Sequence, residues 1–168
     1  MIVTMLVAVV LQLALSRYAV GGRFAVDLVL VGVIYVAFHW GPLAGMLAGT
    51  VGGIVQDSLA DDVIGVGSLV KTVLGFAAGV VGAQFIVARP AGRAVVVAGA
   101  SVVHRLAILA LYGLIDQRWS GVPWTDILGE TLVNMVAAVV AFQATESLPG
   151  MLARGRARRR SSLGRRRW

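Results

Sequence analysis

The chain has 168 residues, 58% of them hydrophobic and only 14% charged, with a mean hydropathy of +0.86. Ordinary soluble domains carry about 25% charged residues, and one of this length has too little interior to hide so much apolar surface, so the composition excludes a soluble globular protein and places one domain in a membrane. The net charge of +7 belongs to one end: eight arginines (Arg154, Arg156, Arg158, Arg159, Arg160, Arg165, Arg166 and Arg167) lie in the last fifteen residues, and without them seven basic residues face eight acidic ones, a net of −1.

About 20 apolar residues at 1.5 Å rise each cross a bilayer, and the chain offers six such segments. The first runs from Met1 to about Val20, with Arg17 able to snorkel near its end. It lacks the basic start and small-residue cleavage site of a signal peptide and reads as a helix. The second runs from about Phe24 to Trp40 and the third from Pro42 to about Gln56. His39-Trp40-Gly41-Pro42 separates them, where Gly and Pro break the helix and Trp suits the interface. Both segments are short, which fits a tight hairpin, either spanning or partly re-entrant. The fourth runs from about Gly67 to Ala88, the fifth from about Ala94 to Ile115 and the sixth from about Trp124 to Ser147. The joints are short: an Asp57–Gly65 loop with three aspartates, the basic turn Arg89-Pro90-Ala91-Gly92-Arg93, and Asp116–Pro123, with Trp119 and Trp124 as interface anchors. The expected fold is therefore all-α and polytopic, with a six-helix membrane domain over residues 1–150 and a disordered basic tail over 151–168.

Arginine counts predict the topology. Arginine runs beside a span fix the cytoplasmic side and attract anionic head groups. A nucleic-acid arm is the weaker reading of the same run. With the tail inside and six spans, both ends are cytoplasmic, the Arg89/Arg93 turn is inside and the Asp57–Asp62 loop is outside. The Arg17–Arg23 loop is the exception to the rule.

Glycines recur four residues apart at Gly41, Gly45, Gly49 and Gly53, with Asp57 the next step and Gly52 widening the strip. Small residues at this spacing let a second backbone approach closely, the main attraction between helices in lipid. Gly75, Gly79 and Gly82 make a counterpart on the fourth helix, so the strip serves either packing within the chain or docking of a partner helix. Asp27, Asp57, Lys71, His104, Arg105 and Glu130 lie within or at the ends of spans, with Asn134 one turn from Glu130. A charge at mid-membrane costs about 2.5–3.5 kcal/mol on insertion scales, so such residues face the bundle or water. Lys71 is the first candidate partner for Asp57, and Arg105 for Glu130. The plainer reading is structural pairing, and the other is a polar cavity for a ligand or ion.

Catalysis finds no support. There is no HExxH, GxSxG or Gly-rich phosphate loop, and the absence of cysteine removes thiolate nucleophiles and metal sites. His39 sits at a helix break, and His104 adjoins Arg105, which points elsewhere on a helix. Asp27 and Asp57 are expected on opposite sides of the membrane, which leaves no aspartate pair for an intramembrane protease. The reading is a protein that is not an enzyme and holds no cofactor or metal.

The stretch from Gly49-Thr50-Val51-Gly52-Gly53-Ile54-Val55-Gln56-Asp57, through Gly65 and Ser68-Leu69-Val70 into a helix bearing Gly75 and Gly79, resembles the rod shape-determining MreD family. The family motif is a glycine-spaced helix ending in Gly-x-x-x-Asp, here Gly53 and Asp57, then a loop glycine, here Gly65. One departure is that the family's Arg-Pro-Asp before the second helix is replaced by Arg23-Phe24-Ala25-Val26-Asp27. The resemblance implies a non-enzymatic scaffold of the bacterial elongation machinery in the inner membrane. It would bind MreC and, through it, RodA and a class B penicillin-binding protein, linking cytoskeletal filaments to lateral peptidoglycan synthesis. It also implies a fold similar to the S components of energy-coupling-factor transporters. A vitamin-binding transporter subunit is thus the alternative, although the scattered aromatics (7% of the chain) suit it poorly.

Overall fold

In the computed structural model, which describes residues 2–16, 26–60, 63–84, 90–116 and 121–164, the chain is all-helical. The helices are α1 (Ile2–Ser16), α2 (Leu28–Trp40), α3 (Pro42–Leu59), α4 (Val66–Gln84), α5 (Pro90–Asp116) and α6 (Trp124–Gly164), with no strand among the described residues. Three stretches, Val66–Gln84, Gly92–Ile115 and Trp124–Thr145, are long and apolar enough to cross a membrane. The chain is a polytopic membrane protein.

The shortest helix is the hub. α2 has 13 residues, about 20 Å at 1.5 Å per residue against a hydrocarbon core of about 30 Å. It is apolar all round and buried from Val29 through Ile34 and again at Val36 and Ala37, as a helix enclosed by protein must be. On one flank Leu30, Ile34 and Ala37 pack with Leu74 and Ala78 of α4, Val97 of α5, and Ala138 and Phe142 of α6. On the other, Val29, Val33 and Val36 pack with Ala48 of α3 and Met5 and Val9 of α1. Sheathed by five other helices, α2 has no need to match the bilayer thickness. Its first N–H groups open inside the bundle instead and require partners there.

One residue joins α2 to α3. Gly41 has φ +88 and ψ −178, a region essentially reserved to glycine. Its N–H donates to the Ala37 carbonyl at 2.9 Å, and its own carbonyl accepts from Gly45 N at 3.0 Å, so it ends one helix and starts the next with Pro42 in the first turn. A Cβ on Gly41 would meet nothing within 4 Å. Gly41 therefore serves the backbone turn, and its carbonyl carbon also borders the seam, 3.0 Å from where a Cβ on Gly79 would stand.

From Gly45 onward the strip faces α4 at backbone contact. A Cβ on Gly45 would strike the Gly75 carbonyl, and one on Gly75 the Gly45 carbonyl. Gly49 lies against the backbone of Lys71, Gly53 against Ser68, and Gly79 against Pro42. Two hydrogen bonds cross the same seam: Thr50 Oγ1 to Thr72 Oγ1 at 2.8 Å, and Ser68 Oγ donating to the Thr50 carbonyl at 3.0 Å. Gly52 points the other way, toward Met5 and Val29, and Gly82 faces Phe38 of α2.

α6 continues through Pro149 to Gly164, with residues 151–164 in helical backbone. Their Leu, Ala and Arg content favours helix despite the charge. Arg165, Arg166 and Arg167 lie outside the described residues, as do Arg17, Arg23, Asp61, Asp62, Arg89 and Trp119.

Candidate functional site

The start of α2 organises a buried polar network. Helix N-termini leave N–H groups without intrahelical partners, and at lipid depth each unsatisfied group costs several kcal/mol. Asp27, 4% exposed, accepts from Leu30 N at 2.9 Å as the N-cap of α2. Gln12 of α1 takes Leu28 N at 2.7 Å, and Asn134 of α6 takes Asp27 N at 2.9 Å. Asn134, fully buried, also donates to Ser101 Oγ of α5 at 3.1 Å. Three other helices thus complete the end of the central one.

The second oxygen of Asp27 is ion-paired. Lys71 Nζ of α4 lies 3.0 Å from Asp27 Oδ2 and 3.0 Å from His104 Nε2, and His104 Nε2 lies 3.7 Å from the same carboxylate oxygen. Lys71 is only 2% exposed, and a buried cation of this kind is tolerable only when paired and hydrogen-bonded. This corrects the pairing read from the sequence: the partner of Lys71 is Asp27, not Asp57. α2 and α3 form an antiparallel hairpin, so the start of α2 and the end of α3 come to the same end of the bundle. Asp27 and Asp57 therefore line one cavity rather than opposite sides.

Asp57 has a different task. Its Oδ2 accepts from Gly65 N at 2.9 Å and Ser68 N at 3.1 Å, so a carboxylate at the end of α3 caps the start of α4. An anion at a helix N-terminus gains from both the free N–H groups and the helix dipole. The two nearby glycines follow from this geometry. Gly65 has φ +104, and a Cβ on Gly67 would run into Asp57 Oδ1. The Gly53, Asp57 and Gly65 motif is therefore one unit: a close helix seam, a capping carboxylate, and the turn that brings the amides to it.

Beside these groups lies a cavity of about 250 Å³, lined among others by Gln12, Gln56, Asp57, Lys71, His104, Arg105, Tyr112 and Glu130. Arg105 and Glu130 face each other across α5 and α6 as the sequence suggests, with Arg105 Nε 3.7 Å from Glu130 Oε2. Gln56 Oε1, His104 Nδ1 and Arg105 Nε have no protein hydrogen-bond partner. No cluster of three metal-ligating side chains occurs among the described residues. His39, away from this site, bonds the Tyr35 carbonyl through Nδ1 at 2.9 Å and stacks on the Tyr35 ring at 4.1 Å. Sequence reasoning missed Gln12, Gln56 and Ser101. A lone amide in the apolar helix α1 is the one signal that could have marked Gln12, since lipid offers it no partner.

A central helix enclosed by its neighbours, capped by their side chains and set beside a glycine seam, defines a helical membrane protein braced from within. The particular family follows from comparison with known proteins: the model for "rod shape-determining protein MreD" matches residues 1–144, and the chain belongs to the MreD family of rod shape-determining membrane proteins. No curated relative and no solved structure matches it.

Proposed function

We propose that this protein is a non-enzymatic scaffold of the cell-elongation machinery. In this reading it sits in the cytoplasmic membrane with both ends inside and binds an MreC-like partner. Through that partner it connects to RodA and a class B penicillin-binding protein, and so links cytoskeletal filaments to lateral wall synthesis. The observation that carries the reading is the family match over 144 residues. Because α3 and α4 consume the glycine ridge between themselves, a partner span would meet outward apolar faces instead, such as Leu6, Val7, Val10 and Leu11 of α1. The arginines from Arg154 to Arg167 would hold anionic lipid head groups, each worth about 1 kcal/mol near a charged surface.

The test is depletion in the native rod-shaped cell combined with co-purification. Loss of the protein should round the cells, and the tagged full chain should bring down the MreC-like protein from detergent extracts. Rod shape and lateral wall insertion that persist without the protein would refute the assignment.

A further inference from the structure

Helix packing does not account for the cavity beside Asp57. A packing void at lipid depth is apolar and dry, whereas this one is walled by three carboxylates, Asp27, Asp57 and Glu130, and two cations, Lys71 and Arg105. Some of that charge is already matched: Asp27 by Lys71 at 3.0 Å, and Asp57 Oδ2 by two backbone amides. Arg105 and Glu130 form a looser ion pair, with Nε 3.7 Å from Oε2, beyond hydrogen-bond distance, so the Arg105 Nε–H makes no hydrogen bond within the protein. Gln56 Oε1 is an acceptor without a donor. His104, 7% exposed, forms part of the wall. The Lys71 ammonium can only donate, so His104 Nε2 accepts from it at 3.0 Å and the ring proton falls on Nδ1, a donor without an acceptor. Unmatched groups of both kinds therefore border one small space, and leaving each so costs about 1–3 kcal/mol.

We propose that this cavity binds a small zwitterion of amino-acid size. Its cationic nitrogen would lie toward Glu130, Gln56 and Asp57, and its anionic oxygen toward Arg105 and His104. A ligand that both donates and accepts meets Gln56 Oε1 as well as the His104 and Arg105 N–H groups, and three carboxylates against two cations disfavour a simple anion. The lack of a three-ligand cluster among the described residues argues against a divalent metal. The volume of about 250 Å³ suits a ligand of this size and lies below the 300–1,000 Å³ typical of pockets for drug-sized ligands. This proposal is independent of the scaffold reading and implies neither transport nor catalysis.

The experiment is thermal unfolding of the full chain in lipid nanodiscs. The probes are L-alanine, L-lysine and glycine betaine, with acetate and methylammonium as single-charge controls. A zwitterion at about 100 times its dissociation constant should raise Tm by roughly 5–10 °C, with the controls inert. Gln56→Ala removes a half-buried side chain whose carbonyl bonds nothing in the protein, so it should fold normally and lose most of the shift. Glu130→Gln, close in shape, should lose it too. Absence of a shift with every zwitterion up to about 100 mM, well above ordinary metabolite-site affinities, would overturn the proposal. So would an equal shift from acetate or methylammonium, or an undiminished shift in both variants.

Discussion

Gly49→Ala should pry α3 from α4. Gly49 is buried, and a Cβ there would overlap the Lys71 carbonyl and crowd Thr72 N, backbone atoms that cannot rotate away. Restoring an ordinary carbon–oxygen separation of about 3.3–3.6 Å requires α4 to retreat by about 1 Å. The retreat opens the contacts above and below, Gly45 with Gly75 and Gly53 with Ser68, and stretches the hydrogen bonds of 2.8 Å and 3.0 Å that join Thr50 to Thr72 and Ser68. Overpacking costs about 1–3 kcal/mol, and two weakened hydrogen bonds add about 1 kcal/mol each. The better helix propensity of alanine returns about 1 kcal/mol. The net loss of about 2–4 kcal/mol corresponds to a Tm lowered by roughly 5–15 °C for a domain of this size. Gly99→Ala is the matched control, because a Cβ on that exposed α5 glycine meets nothing within 4 Å. Gel filtration of the full-length proteins after graded heating measures both. If Gly49→Ala melts together with Gly99→Ala, the seam is not held at backbone contact and the reasoning fails.

Three further outcomes follow from the polar core. Lys71→Met or Asp27→Asn alone strands a buried charge and should cost about 3–5 kcal/mol, whereas the double variant should regain most of it; asparagine still caps α2, so the heating assay isolates the ion pair. Asp57→Ala removes the α4 cap and should cost about 1–2 kcal/mol with a visible shape defect, while Asp61→Asn and Asp62→Asn should stay within about 0.5 kcal/mol; equal effects from all three would make the capping role wrong. Reporter fusions at Trp168 and between Asp61 and Ile64 should signal from opposite sides of the membrane, and same-side signals would end the six-span topology.

Much of this molecule is legible without coordinates because lipid is a demanding solvent. A run of apolar residues must be helical there, so the helical segments, the break at Gly41-Pro42 and the need to pair every intramembrane charge follow from the residues alone. Four-residue glycine spacing likewise announces a close backbone partner, and Gly75 and Gly79 supply one. Periodicity reports which face a residue occupies but not what lies opposite. The choice of Asp27 over Asp57 as the partner of Lys71 depended on how the short α2 sits among its neighbours, since only a helix that begins inside the bundle sets its N-cap carboxylate against a lysine of α4. The same placement called on Gln12, Ser101 and Asn134, residues separated by up to 122 positions, to satisfy groups that no local rule connects. It also turned Asp57 to α4, where the positive-φ turn at Gly65 brings the amides round and Gly67 leaves room for the carboxylate. Sequence alone determined which residues lipid would not accept unpaired, and the tertiary structure decided the pairing, because each buried charge or amide takes the partner that helix crossing brings within about 3 Å.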